Sequence, residues 1–457
     1  MGNILLVEPD YSSKFPPLGL LRLSSFHKEK GDCVTFTRGR NPKLRELTWH
    51  RVYVSSLFSY ELPRTVQTIR YYRQAVESED NIIVGGIGAT LLPEYIRQRT
   101  PCRVVVGPLS NPHTIDGERK AIAKYLPDYT IIDSGLWSFQ PKDAYFCRCT
   151  VGCIRRCKFC AVPSLEPHFG YYQALGDQVK AVDKTYGPRQ HLILLDNNIL
   201  ACEDFPKIVS DIRSAGFSRH ATLNSRKRVV DFNQGLDARL ITEETAAQLA
   251  TIALSPVRLA FDHSGMEKAY VRAIKLLSRH GFDTFTNYVM FNFNDSPRDF
   301  YHRIRLGAQL SSQLGVRITS FPMKYSPVTD VSRRFVAPNW KWRYLRGIQC
   351  VLLVTHGMVS PNPVFFEAAF GGNVEECLEI LSMPDRYIIF RNKYENNGAD
   401  KCRRMFRALS PRSRDEFLGA LAALNRSRKK KEDIGRYKQF GKLLEHYYPN
   451  GEPTPCE

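Results

Sequence analysis

Three observations predict an α/β protein in three regions. Short β-branched runs alternate with helical stretches over the first 140 residues, the same alternation continues with polar residues at each strand end to about residue 325, and the remainder reads as helix with a basic tail. Residues 1–140 are expected to form a doubly wound, Rossmann-like domain, residues 141–325 a partial (β/α)6 barrel, and residues 326–457 a mostly helical, basic C-terminal region. The length of 457 residues agrees with a prior of one domain per ~150 residues, and 43% hydrophobic residues suffice for sizeable cores.

In the first region the expected strands are Ile4 to Val7, Cys33 to Phe36, Val52 to Ser55, Ile82 to Val84 and Arg103 to Val106, with helices over Leu18 to Glu29 and Leu62 to Glu77. Such alternation makes a parallel sheet that binds ligands at the carboxyl ends of its strands. The loop Gly85-Gly86-Ile87-Gly88 follows a strand end, where glycine lets backbone approach a phosphate closely.

In the second region the expected strands are Asp143 to Phe146, His191 to Leu195, Asp231 to Asn233, Arg258 to Phe261, Thr284 to Met290 and Arg317 to Phe321. Each stops in polar residues: Asp196-Asn197-Asn198, Gln234 to Asp237, Asp262-His263, Asn292 to Asp295, and Pro322-Met323-Lys324. Barrel chemistry belongs at that rim. His263, beside Asp262, is a candidate acid or base, and a structural histidine is the competing reading. Tyr288 and Tyr325 are candidate donors of a hydrogen atom or proton, against simple packing.

Cys153, Cys157 and Cys160 are spaced C-x3-C-x2-C, with Phe159 just before the last. Three thiolates on one loop hold three irons of a [4Fe-4S] cluster and leave the fourth iron open. The competing reading is zinc, because Cys157 to Cys160 is also half a zinc knuckle, and Cys147 and Cys149 stand upstream as further ligands. No second C-x2-C pair follows. The 12 cysteines are too dilute for a disulfide framework, so a reducing compartment is expected.

The cysteine loop resembles the signature of the radical S-adenosylmethionine (SAM) enzymes. That resemblance implies that the open iron chelates the amino and carboxylate groups of SAM, that Phe159 packs near the adenine, and that Asp196, Asn197 and Asn198 meet the SAM amino group. The usual glycine-glycine-glutamate is absent at that strand end. It further implies that Gln234 meets hydroxyls, that Arg239 pairs with a carboxylate, and that Asn294 approaches adenine. The competing readings are an Arg239 ion pair with Glu243 or Glu244, and Asp295-Ser296-Pro297 as a helix cap.

Glu8-Pro9, Phe15 to Leu20, Val84-Gly85-Gly86 and Gly117-Glu118 resemble the N-terminal domain of a radical-SAM class with a cobalamin-binding-like domain, in which Gly85 and Gly86 would contact the cofactor. The Asp-x-His-x-x-Gly ligand motif is absent, and His27 stands alone. The class includes members that bind cobalamin without a protein ligand and members that have lost it. The implied activity is reductive cleavage of SAM and modification of an unactivated carbon, with methyl transfer where cobalamin is bound. An external one-electron donor of flavodoxin or ferredoxin type is implied. The remaining cysteines lack ligand spacing, which lowers sulfur insertion as an outcome.

No apolar run reaches the ~20 residues of a membrane span, and Ile4 to Val7 reads as a strand and not as a targeting segment, so a cytoplasmic protein without membrane association is expected. The net charge of +19 points to an anionic partner or substrate. Trp340-Lys341-Trp342-Arg343 interleaves aromatic and basic residues as single-strand binding surfaces do, against the competing reading of an amphipathic helix whose tryptophans cover the barrel, and Arg426 to Lys431 is the densest positive run, against a solvated face. The alternative function is therefore a nucleic-acid-binding protein, or a nucleic-acid-modifying enzyme, whose cluster is structural or sensory.

Overall fold

The computed structural model describes residues 1–115, 118–427 and 430–449. The chain divides into two compact units: Met1–Leu236 with Ala247–Ser255 and Pro327–Phe335, and Asp237–Ala246 with Pro256–Ser326 and the described part of Val336–Glu457. These limits differ from the boundaries at 140 and 325 expected from sequence.

In the first unit, β1 (Asn3–Glu8), β2 (Cys33–Arg38), β3 (Arg51–Ser55), β4 (Ile82–Gly85) and β5 (Arg103–Val104) form one parallel sheet in the order β2-β1-β3-β4-β5. The period of two in each strand fills two cores. Leu5, Val7, Val52, Val54, Ile82 and Val84 pack with Leu62, Ile69 and Tyr72 of helix Leu62–Tyr72, while Ile4, Leu6, Tyr53 and Ile83 pack with Leu20, Leu23 and Phe26 of helix Leu18–Glu29. Burial on both faces is why these strands read as unbroken apolar runs. The order reverses between β1 and β3, the switch point at which doubly wound sheets bind ligands.

Two expected limits are corrected. The helix expected to reach Glu77 ends at Tyr72, followed by a 3-10 turn at Arg73–Ala75, because the Ala75 carbonyl accepts the Trp49 N–H and Val76 is extended. The fifth strand pairs only over Arg103–Val104, and Val106 is exposed.

Further along the same unit are β6 (Ala144–Cys147), β7 (Thr150–Val151), β8 (Gly170–Tyr171), β9 (His191–Leu194), β10 (Thr222–Leu223), β11 (Arg226–Lys227) and β12 (Val229–Phe232). β6, β9 and β12 form a parallel sheet in the order β12-β9-β6, with helices Leu175–Tyr186 and Phe205–Ile212 between successive strands. β7-β8 and β10-β11 are antiparallel ribbons. β12 begins earlier than the expected Asp231, since Val229 already pairs with His191.

In the second unit β13 (Val257–Ala260), β14 (Thr284–Phe291) and β15 (Arg317–Lys324) form another parallel sheet in that order, connected by helices Glu267–Arg279 and Pro297–Leu314. The latter helix has a full set of end signals: a Ser296/Asp299 capping box, Pro297 in its first turn and Gly315 at φ 64° after its end. β15 continues through Pro322 to Lys324, past the expected end at Phe321, because β14 is the one strand of its sheet beside it, the Ser320–Val359 bridge on its other side stops short of Pro322, and an edge strand tolerates proline.

The C-terminal part is helical, including Trp342–Val354, Pro363–Phe370, Val374–Ser382, Asp400–Arg407 and Pro411–Arg426. Among the described residues no helix is long and apolar enough to cross a membrane.

Candidate functional site

The cysteine loop starts where β6 ends and is closed by the β7-β8 ribbon. Gly152, at φ 70°, opens it, and a Cβ there would overlap the His168 carbonyl oxygen, so only glycine lets the outgoing and returning strands meet. Glu166 ties the base together: it takes a forked ion pair from Arg148, the Gly152 N–H at 2.8 Å and the Asn197 amide at 3.0 Å. Burial alone would raise its pKa, but the Arg148 fork and the other donors hold the carboxyl below its ordinary value.

Cys153, Cys157 and Cys160 are half-buried and not disulfide-bonded. The Cys153 sulfur accepts the Arg155 N–H at 3.3 Å and the Asn198 amide at 3.5 Å, and the Cys160 sulfur accepts the Val162 N–H at 3.5 Å. Such donors favour thiolate charge and tune a bound metal centre. Phe159 is half-buried in the same loop.

Cys147 and Cys149, the alternative ligands, are fully buried, and burial pushes both thiols far up, which keeps them protonated. Among the described residues no three His, Cys, Asp or Glu side chains converge to hold one metal ion.

Asp196, Asn197 and Asn198 leave the end of β9 toward this loop. Asp196, 3% exposed, receives the N–H groups of Cys149 and Thr150 at 2.9 and 2.5 Å and the Thr150 hydroxyl at 2.7 Å, all on one oxygen. Burial raises its pKa against those donors. Its other oxygen, and the Asn198 carbonyl oxygen, are buried with no hydrogen-bond partner among the described residues. One of these two acceptors is on a side chain that touches a cysteine sulfur, and buried acceptors of this kind are ordinarily met by water or a ligand. Gln234 is exposed after β12 and its amide meets Asn233 at 3.3 Å.

The other candidates belong to the second unit. Arg239 pairs with Asp237 at 2.7 and 2.9 Å, a carboxylate that neither the resemblance nor the competing reading named, because the 3-10 turn Ala238–Leu240 points the side chain back at its own cap. His263 is exposed, and burial of the ring edge, then Arg239 and Arg303, lower its pKa. Tyr288 accepts from Arg258 at 3.0 Å. Asn294 is exposed next to Asp295, whose carboxylate meets Arg303 and the Trp340 indole, while Ser296 caps the helix. Tyr325 packs edge-on against Phe293.

Two residues of this rim escaped the sequence reading. Arg303, 0% exposed, gathers the carbonyls of Phe261, Asp262 and Met290 and the Asp295 carboxylate, joining the ends of β13 and β14. Its signal was an arginine on the apolar face of helix Pro297–Leu314, in line with Phe300, Ile304 and Gly307. Asp262, named only as a neighbour of His263, has its carboxyl raised by burial to about 6, with Arg303 opposing.

At the β1/β3 switch point the first unit has an apolar cavity of about 370 Å³, lined by Glu8, Tyr11, Phe15, Pro17, Ser56 and Gly86 among others, with Gly85 beside them. Glu8 is buried against Arg38 at 2.6 Å, and burial lifts its carboxyl to about 7. Gly86, at φ 102°, would place a Cβ 2.6 Å from the Ser56 carbonyl oxygen, so packing of β4 on β3 by itself demands glycine. Of the expected motifs here, Gly117 lies outside the described residues. His27 is a buried structural residue, bonded to Asp32 and Tyr53.

In the Trp340 to Arg343 run, Trp340 and Arg343 are covered, as the amphipathic-helix reading has it, while Lys341 and Trp342 are half-buried. Trp340 is 3% exposed and packs on Phe291 and Phe300, and Arg343 is buried on Asp385 together with Arg346, because the apolar face of helix Trp342–Val354 turns inward. Arg428 and Lys429 of the basic tail, and the side chains of Lys430 and Lys431, lie outside the described residues.

No family model matches this chain, and no curated protein matches it.

Proposed function

We propose that this protein is a radical SAM enzyme that modifies an unactivated carbon of its substrate. The observation that carries this reading is Asn198, which donates to the Cys153 sulfur while its own oxygen and that of Asp196 are left as buried, unmet acceptors. The three loop thiols suit a cluster better than a single ion, since a cubane offers each thiolate its own iron, whereas one ion requires them to meet at a point. A [4Fe-4S] cluster, when bound, supplies the one electron that breaks the C5′–S bond of SAM to methionine and a 5′-deoxyadenosyl radical.

The chain's own contribution is positional. Cys153, Cys157 and Cys160 would hold the cluster, with the Arg155 and Val162 N–H groups stabilising sulfur charge. The unmet oxygens of Asp196 and Asn198 suit the ammonium group of SAM, which has three donors to give. Glu166 and Gly152 keep the loop in shape. The finer fold that this reading carries is the partial (β/α)6 barrel.

Cobalamin fits in part. The open apolar cavity at the β1/β3 switch point, lined by Tyr11, Phe15, Pro17 and Gly86, suits an aromatic base such as the nucleotide end of the cofactor. Methyl transfer is the proposed outcome where corrin is retained, and oxidation or rearrangement where it is not.

The test is anaerobic reconstitution with iron and sulfide, followed by dithionite, SAM and hydroxocobalamin. The wild type is expected to form 5′-deoxyadenosine and Cys157→Ala to form none. A fully loaded cluster that never cleaves SAM, with RNA or DNA present or absent, would overturn the reading in favour of a structural or sensory centre.

A further inference from the structure

The second unit has a surface with the composition of an interior. Helix Pro363–Phe370 reads Pro-Val-Phe-Phe-Glu-Ala-Ala-Phe, apolar on every side but for Glu367, and a helix of that composition is ordinarily covered all round. Here only one face is covered. Phe366 and Phe370, one turn apart, are buried, while Val364, Phe365 and Ala368 are exposed. Helix Trp342–Val354 ends in the same way, with Val351 buried and Leu353 and Val354 exposed. Val354, Phe365, Ala368, Ile389 and Phe390 line one groove of about 490 Å³. Val354, Phe365 and Phe390 are 50, 57 and 55% exposed, so three large apolar side chains stand half in water around a single concavity. Lone exposed apolar residues are ordinary, whereas several around one groove mark an interaction site. A small-molecule pocket buries most of its ligand, and walls this open do not enclose one.

The charges decide the occupant. The charged side chains that line the groove among the described residues are Arg391 and Lys393, both cationic, and neither has an ion-pair partner among those residues. Arg391 donates to the carbonyls of Ala368 and Ala369 at the end of helix Pro363–Phe370, which fixes it beside the groove, and the Lys393 ammonium lies 5.5 Å from the Tyr394 ring. We propose that this groove docks an amphipathic helix of a partner protein, with apolar side chains at i, i+3 or i+4, and i+7 seated between Val354, Phe365 and Phe390, and acidic residues on its flank meeting Arg391 and Lys393. Every residue involved lies in the C-terminal helices, so the docking is independent of the cluster reading. A second copy of this chain would bring the same cations against each other about a two-fold axis, on a molecule of net charge +19. Anionic membranes recruit clusters of several cations, and this groove has two.

The test is selection of a phage-displayed library of random peptides of about 18 residues, long enough to form a helix, on the immobilised full chain after depletion on the Val354→Asp, Phe365→Asp double variant. Both positions are at least half exposed, so the variant is expected to keep the wild-type circular dichroism and urea midpoint. Enriched peptides are expected to share apolar residues at i, i+3 or i+4, and i+7 with an excess of Asp and Glu. A synthetic peptide of that consensus, titrated by fluorescence anisotropy, is expected to bind the double variant at least about tenfold more weakly than the wild type. It is expected to bind Lys393→Glu at least about threefold more weakly in low salt, with that difference shrinking in about 0.3 M salt. Should the double variant unfold, Phe390→Ser serves in its place for both the depletion and the titration.

A selection that enriches no peptide, or a consensus that lacks helical spacing or has basic flanks, would overturn the proposal. So would sedimentation equilibrium that shows a dimer abolished in the variant, which assigns the groove to a second copy. Cosedimentation of the wild type, and not of the variant, with phosphatidylglycerol vesicles would overturn it in favour of a membrane surface.

Discussion

Glu166 receives donors from three separate stretches of chain, Arg148, Gly152 and Asn197, in half-dry surroundings. Its folded pKa is lowered below the ordinary 4.5, so the carboxylate's contribution to stability is complete above about pH 4.5 and is lost as the pH falls through the lowered value. Glu166→Gln is expected to destabilise the protein by about 2 kcal/mol at neutral pH, a typical figure for hydrogen bonds to a charged group. The gap should close toward acid pH, which urea unfolding at a series of pH values measures, and a gap independent of pH would refute the charge argument. In sequence Glu166 is one carboxylate among 46 acidic residues, with no spacing to mark it. Its role comes from the return of the β8 side of the loop onto Gly152, a contact that no local pattern announces.

Among the elements, the β4 end and the turn after it combine left-handed backbone with close approach. Gly86→Ala would meet both a φ of 102° and the Ser56 carbonyl oxygen at 2.6 Å, and Gly88 is equally close to the Ser56 hydroxyl, at 2.5 Å. The expected loss for Gly86→Ala is about 2–3 kcal/mol, read as a lower midpoint in urea, with any ligand of the β1/β3 cavity weakened alongside because Gly86 lines it. A Gly86→Ala protein as stable as wild type would show that β4 can slide away from β3. Sequence located these glycines correctly but assigned them to ligand approach, where the strand-to-strand packing already requires them. The helix Pro297–Leu314 is the opposite case: its cap and first-turn proline were read from sequence, because end signals are local.

At the level of the whole molecule, the cysteine loop is an addition to cores that do not contain it. Cys153, Cys157 and Cys160 are absent from the buried apolar residues, and no disulfide joins them to the rest. Iron-free Cys157→Ala is therefore expected to unfold within about 0.5 kcal/mol of the iron-free wild type by circular dichroism in urea, the usual range for a site outside packed structure. A much larger loss would make the thiol part of the fold.

What the sequence determined by itself was the elements and the place of the cysteine loop. The alternation of apolar runs marked 11 strands that recur here with small shifts, and the C-x3-C-x2-C spacing marked the cysteine loop, since both depend on neighbours within a few residues. What the tertiary structure alone decided was which polar groups are left unmet and which surfaces are covered. Trp340 and Arg343, for which the sequence left a nucleic-acid surface and core packing both open, are core and buried ion pair, because the inward face of a helix is set by the partner it packs on. For Asp196 and Asn198, which the resemblance sets against the SAM amino group, only the fold leaves one oxygen of each without a donor, and Arg303 bonds the ends of β13 and β14 only through carbonyls that the fold brings around it. Hydrogen-bond satisfaction is a property of everything that surrounds an atom, and those surroundings come from parts of the chain that spacing cannot bring together.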